Sequence, residues 1–182
     1  MNEKSIEQNI VQMLKDIGED NMRDGLVETP KRVARMYTEL FNGIETVPDK
    51  HLKLFDSEGN HDLILCRGIR IFSVCEHHML PFGGVCNVGY IPDKKIIGLS
   101  KIPRIVECFS KRLQVQERLT MQICDYLIDK LEPLGVIVHI EAEHMCVVMR
   151  GVKAAGASTV TLARRGCFDV NQDRVNEFLR LI

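Results

Sequence analysis

Two short segments constrain this fold more than anything else in the sequence: Cys75-Glu76-His77-His78 and, about seventy residues later, His144-Met145-Cys146. Cys75 and His78 are spaced so that one tight turn can aim both at a single ion. Cys146 would close the site from another segment, which obliges the chain to bring two distant stretches to one point. Two thiolates and an imidazole form a soft nitrogen-and-sulfur set that suits zinc. Structural zinc sites normally close with four protein ligands, whereas three leave a position for an activated water. Adjacent histidines cannot easily both reach one ion, so the Cys-x-x-His spacing assigns His78 as ligand and leaves His77 free. Strand alternation over 136–142, carried forward, puts His144 on the same face as Cys146, within reach of proton transfer near neutral pH.

The elements follow from the hydrophobic period. Ser5 followed by Gln8 reads as a capping box, opening a helix with Ile6, Ile10, Met13, Leu14 and Ile17 that ends at Gly18. Thr29-Pro30 starts a second helix striped by Val33, Met36, Tyr37, Leu40 and Phe41, ending at Gly43. Residues 44–61 are polar and turn-rich and read as a connection. Strands are expected over 62–74, broken near Gly68, over 84–91 and over 95–98. A helix capped by Ser100 follows, then another over 115–132 with Leu119, Ile123, Leu127 and Leu131 at four-residue spacing. A strand at 136–142, one at 158–165 and a helix capped by Asn171 complete the chain. Hairpin-ordered strands with helices in blocks read as an α+β fold with an antiparallel sheet. At 182 residues the chain is expected to form a single domain, 1–182, with a helical N-terminal region (1–61) ahead of the sheet (62–182).

A formal net charge of -1, with both signs interspersed, gives no reason to expect nucleic-acid or membrane-surface binding. No apolar run approaches the roughly 20 residues that span a bilayer. The charged start, Met1-Asn2-Glu3-Lys4-Ser5, lacks the apolar core of a signal peptide, so a cytoplasmic location is expected. The seven cysteines are odd in number and argue against a disulfide framework. Cys86, Cys108 and Cys124 fall among apolar positions and read as small buried hydrophobes.

Two further groups could carry chemistry. Ser100, Lys101 and Arg104 combine a helix start with positive charge, a good anion site, and Arg150-Gly151 is another possible phosphate clamp. Gln116 and Glu117 open a helix with an amide beside a carboxylate. Guanine presents N1–H and an exocyclic amine to a carboxylate, a paired match that adenine lacks.

Cys75-Glu76-His77-His78-x-x-Pro81-Phe82, Tyr90-Ile91-Pro92, Gly98-Leu99-Ser100-Lys101, Arg112-x-Gln114-Val115-Gln116-Glu117-Arg118-Leu119-Thr120 and His144-x-Cys146-x-x-x-Arg150-Gly151-Val152 closely resemble GTP cyclohydrolase I, from about residue 6 to the C-terminus. The resemblance implies conversion of GTP to 7,8-dihydroneopterin triphosphate and formate, the entry to folate and other pterins. It implies Zn2+ held by Cys75, His78 and Cys146, with His144 and His77 as proton-transfer residues. Gln116 and Glu117 would recognise guanine, and Ser100, Lys101, Arg104 and Arg150 would handle ribose and triphosphate. It further implies a tunnelling fold, with helices on one side of the sheet and sheets joined into a barrel in a homodecamer of two pentamers. Val147 stands where the family often has methionine, and Thr161-Leu162-Ala163 replaces a serine-containing run; both read as local packing changes.

Two other readings share some of these features. A nitrile reductase on the same fold would need a cysteine nucleophile and a nicotinamide cofactor rather than a zinc triad. An interaction protein pinned by zinc would need a fourth protein ligand, for which Cys66 and His61 are the nearby candidates.

Overall fold

The alternation at 136–142 does form a strand, β6 (Gly135–His144), and its two faces serve two different cores. Val136, Val138 and Ile140 enter the larger core, whereas Ile137 enters a smaller one. The computed structural model describes residues 1–182. They form two units, Met1–Asn42 and Gly43–Ile182.

The second unit is built on a five-stranded sheet. Strands β2 (Ile64–Cys75), β3 (Pro81–Ile91), β6 and β7 (Ser158–Gly166) run antiparallel in that order. The two-residue β5 (Leu113–Gln114) lies parallel beside the end of β2. The expected break near Gly68 is a register shift between Cys66 and Ile69. Gly68 there takes a φ of +75°, and its N–H donates to the Asn87 side chain at 2.9 Å. A small separate ribbon pairs β1 (Leu54–Asp56) with β4 (Lys95–Ile97). The 44–61 connection is therefore not structureless: it holds β1 and a 3-10 turn at Pro48–His51.

Helices α3 (Lys101–Ser110) and α4 (Gln116–Leu131) cover one face of the sheet. Ile102, Ile105, Val106 and Phe109 from α3 join Leu119, Ile123, Leu127 and Leu131 from α4 in the larger core. Full burial of such side chains contributes roughly 1.5–3 kcal/mol each. Cys86 and Cys124 are fully enclosed there and behave as the hydrophobes expected.

The single-sided arrangement of helices does not hold. A helical turn α5 (Met145–Val148) follows β6, and α6 (Cys167–Val170) and α7 (Gln172–Leu181) follow β7. Phe168, Val175 and Phe178 pack with Ile91 and Ile137 on the opposite face from α3 and α4. Gly89 makes room for this, because a Cβ there would sit 2.7 Å from the Phe178 ring. Asn171 caps α7 as expected, accepting from the N–H groups of Asp173 and Arg174.

The first unit holds α1 (Glu3–Asp16) and α2 (Thr29–Leu40). Asn2 caps α1, accepting from the Ser5 N–H at 3.1 Å, so the helix begins one turn earlier than the Ser5 capping box implied. Pro30 lies in the first turn of α2, but Ala34 rather than Met36 is buried on it. No helix is long and apolar enough to cross a membrane.

Candidate active site

Strands β2 and β3 are joined by a tight turn over residues 76–80. The Met79 N–H donates to the Cys75 carbonyl at 2.8 Å, and the Cys75 N–H donates to the Leu80 carbonyl at 2.8 Å. Met79 adopts a positive φ of 52° to close it. The turn is strapped to the start of α4. The Glu76 N–H donates to the Gln114 carbonyl at 3.0 Å, and the Arg118 guanidinium donates to both oxygens of the Glu76 carboxylate. That guanidinium holds the Glu76 carboxyl below the usual carboxylate range. It also donates to the Gln114 side-chain oxygen at 3.1 Å.

The end of β6 lies against the same turn, because β6 pairs with β3 and sets His144 opposite Phe82. Cys146 comes two residues later, inside the helical turn α5. The continued strand alternation expected there gives way to α5, yet the thiol still arrives at the site. Cys146 Sγ lies 3.9 Å from Cys75 Sγ, and Cys75 Sγ lies 4.0 Å from His78 Nδ1. The ligand atoms of the three residues all fall within 4.8 Å of one another. Tetrahedral zinc, with bonds of about 2.3 Å to sulfur and 2.0–2.1 Å to nitrogen, requires separations of about 3.8 Å and 3.6 Å respectively. The donor set therefore fits zinc in both chemistry and spacing. Burial and the neighbouring Cys75 thiol push the Cys146 thiol up, an effect opposed by Arg150. Arg150 stands four residues past Cys146, just beyond the end of α5.

His144 stands beside the trio and is firmly held. Its ring stacks on Phe82 with centroids 4.6 Å apart and planes 10° from parallel. Its Nε2 lies 2.8 Å from Gln116 Oε1. Burial lowers its pKa, and the Glu117 carboxylate opposes that shift, which puts Glu117 in its electrostatic neighbourhood. Gln116 is itself 1% exposed. His77 is not one of the trio: its side chain is 64% exposed and 3.9 Å from the Glu76 carboxylate, and its ring stands edge-on to that of His78 with centroids 6.3 Å apart.

The anion candidates lie elsewhere. The Ser73 hydroxyl donates to the Ser110 carbonyl at 2.7 Å, tying the C-terminus of α3 to the Cys75 end of β2. Lys101 is at the other end, about 14 Å along the helix axis. Arg104 lines a cavity of about 420 Å³ together with Arg67, Arg70, Glu107 and Lys111. Lys101 and Arg104 also bear on His51, whose pKa is lowered by burial first and then by Lys50 and these two cations. Ser100 sits at the cap position of α3 but makes no capping bond through its side chain. One chain therefore assembles Cys75, His78, Cys146, His144, Gln116 and Glu117, and keeps Ser100, Lys101 and Arg104 apart from them.

The family model for GTP cyclohydrolase I matches residues 6–182. The chain belongs to the GTP cyclohydrolase I family. A protein of Clostridium kluyveri named GTP cyclohydrolase 1 is 48% identical over 182 residues, covering 100% of this chain and 98% of its own length. One of the same name from Carboxydothermus hydrogenoformans is 49% identical over 183 residues, covering 100% and 95%. A solved archaeosine synthase QueF-Like in the apo form overlaps 57% of this chain and 93% of its own, with 18% identity and a TM-score of 0.48.

The family's reaction is the conversion of GTP to 7,8-dihydroneopterin triphosphate, the first step of pterin and folate biosynthesis. It is metal-dependent and its members assemble as oligomers. The donors considered for a fourth ligand are remote from the trio. Cys66 lies nine residues back along β2, about 30 Å at the strand rise. His61 is bonded to the Pro92 carbonyl beyond the far end of β3. Sequence reasoning missed Thr120 and Thr161, which bond to Gln116, and the strap made by Arg118. Thr161 is placed there by the pairing of β7, which sets it opposite Ile140 in the strand that leads to His144, and its own sequence context gives no sign of this.

Proposed function

We propose that the family's reaction runs here at a zinc ion held by Cys75, His78 and Cys146, with one coordination position open to solvent and substrate. The observation that carries this reading is the three-donor cluster with His144 beside it and no fourth protein donor in range. Bound zinc supplies Lewis-acid chemistry that activates water at neutral pH for hydrolysis of the guanine imidazole ring.

The chain's own residues do the rest. His144, stacked on Phe82 and hydrogen-bonded behind, takes and returns protons as the ring opens and formate departs. His77, exposed on the turn, serves a second proton transfer. Glu117 receives guanine N1–H and the exocyclic amine on its two carboxylate oxygens. Arg150, near Cys146, meets phosphate oxygens. Ser100, Lys101 and Arg104 handle ribose and triphosphate; their separation from the metal turn favours a site completed at a subunit boundary. The assembly is a decamer of two face-to-face pentamers, its sheets closed into a barrel, in the cytoplasm.

The test is incubation of purified protein with GTP, reading formate and, after oxidation, a fluorescent pterin. His144→Ala should keep zinc and lose turnover by about 10²–10⁴-fold, whereas Cys146→Ala should lose both. Full zinc occupancy in Cys146→Ala would overturn the ligand assignment.

A further inference from the structure

We propose that Gln116 is the positioning residue that fixes His144 as its Nε2–H tautomer, leaving Nδ1 as the nitrogen that moves protons. The inference rests on the reading of His144 as a proton-transfer residue and deepens it. Gln116 Nε2 lies 3.0 Å from the Ile140 carbonyl, 2.9 Å from the Thr159 carbonyl and 3.0 Å from Thr161 Oγ1. Carbonyl oxygens only accept, so the amide nitrogen must face them. Turning the amide over would set its oxygen against two carbonyl oxygens in a buried site, where an unmatched polar contact is costly. The atom 2.8 Å from His144 Nε2 is therefore an amide oxygen, which cannot donate. The proton of that hydrogen bond belongs to Nε2.

The hydroxyls behind the amide agree in direction. The Thr120 hydroxyl donates to the Gln116 backbone carbonyl at 2.7 Å. Its single proton is thereby used, so across the 2.7 Å contact between the two threonines Thr161 donates to Thr120. Thr161 Oγ1 is left to accept from the Gln116 amide. The two amide protons are shared among three acceptors, and each threonine hydroxyl has one place to donate. Stacking on Phe82 fixes the ring plane.

Two consequences follow for the reaction. Neutral His144 presents an unprotonated Nδ1 with no hydrogen-bond partner in the chain, and when Nδ1 takes a proton the bond at Nε2 persists and becomes charge-assisted. The Gln116 side chain, with both ends committed internally, has no polar group left for the base. Guanine specificity then falls to its exposed neighbour Glu117.

The test contrasts Gln116→Met with Glu117→Ala. Gln116→Met should bind GTP within about twofold of wild type, keep its preference for GTP over ITP, and lose about 10–10²-fold in kcat, part of the ~10²–10⁴-fold of a general acid–base group. Glu117→Ala should weaken GTP binding and shrink the preference. Gln116→Glu, protonated in this site, keeps an acceptor for Nε2–H and one donor, and should recover part of the kcat lost in Gln116→Met. If Gln116→Met instead loses the GTP-over-ITP preference at unchanged kcat, Gln116 reads the base and the proposal is wrong. Solid-state 15N spectra of the zinc-loaded, histidine-labelled wild type give a reading independent of turnover and of any Gln116 variant. With His144 assigned by its loss in His144→Asn, the expected result is a protonated Nε2 and a bare Nδ1. The reverse tautomer overturns the proposal even if GTP is turned over. The expected tautomer without GTP turnover would count against the proposed activity alone.

Discussion

Gly83 and Gly84 are neighbours in β3, yet alanine should be tolerated at one and not at the other. A Cβ on Gly84 would lie 2.0 Å from the Glu141 carbonyl oxygen, 2.6 Å from Ala142 Cα and 2.9 Å from Ala142 Cβ. Comfortable carbon contacts are about 3.5–4.0 Å, so β6 would have to move away from β3 by about 1 Å. Backbone cannot yield as a side chain can, which puts the cost near the top of the ~1–3 kcal/mol range for overpacking. For a unit of this size, about 3 kcal/mol corresponds to a Tm fall of about 6–12 °C. A Cβ on Gly83 would instead lie 3.0 Å and 3.2 Å from two carbons of the Phe72 ring, which is 71% exposed and free to turn, and 3.3 Å from the Ile71 carbonyl oxygen, a contact that a shift of a few tenths of an ångström relieves. The gain of about 0.4–1 kcal/mol from restricting the unfolded chain offsets that contact, so its Tm should stay within about 2 °C. Because β6 carries His144 two residues beyond Ala142, Gly84→Ala should also lose about 10²-fold in turnover, the typical effect of a ~1 Å misplacement. Thermal denaturation of the two variants, followed by circular dichroism, decides the matter. Equal Tm values, or a fully active Gly84→Ala, would refute the argument.

Arg118→Met should release the turn that carries Cys75 and His78, lowering zinc affinity about 10–100-fold as removal of an outer partner of a metal site typically does; chelator competition at equilibrium measures it, and unchanged affinity contradicts the strap. His139 offers a pH test: it accepts from the Asn87 amide at 3.2 Å, and burial lowers its pKa, with Glu141 opposing. Below its ordinary value of about 6.5 the unfolded chain binds the proton more readily than the folded one, so stability should fall with pH in that window. His139→Gln, which keeps an acceptor for Asn87 without titrating, should flatten the slope below about pH 6.5 relative to wild type, and identical slopes would remove His139 from the account.

Much of this structure was legible in the sequence because its signals are local. The four-residue spacing of Leu119, Ile123, Leu127 and Leu131 and the alternation of Val136, Val138 and Ile140 each reflect one element packed against one core. The grouping of Cys75, His78 and Cys146 was legible from two short motifs, with two of its members on one turn. What failed depended on partners distant in sequence. The three residues of β1 form a strand only because 95–97 pairs with them, and nothing in their own composition says so. Helix α7 could not be assigned a face until Ile137 and Gly89 were seen to receive Phe178. Gln116 reads from sequence as a helix-start amide open to ligand; its burial depends on Ile140, Thr159 and Thr161, between 24 and 45 residues away. Thr161 shows the same limit, since as a departure from the family pattern it read as packing, yet it bonds to the residue behind His144.

The central claim is a three-ligand zinc with an open position, and zinc K-edge X-ray absorption on the resting protein tests it most directly. The account predicts two sulfur neighbours at about 2.3 Å and two nitrogen or oxygen neighbours at about 2.0–2.1 Å, one an imidazole. A third sulfur, or a second imidazole filling the last position, would mean a closed structural site and contradict it.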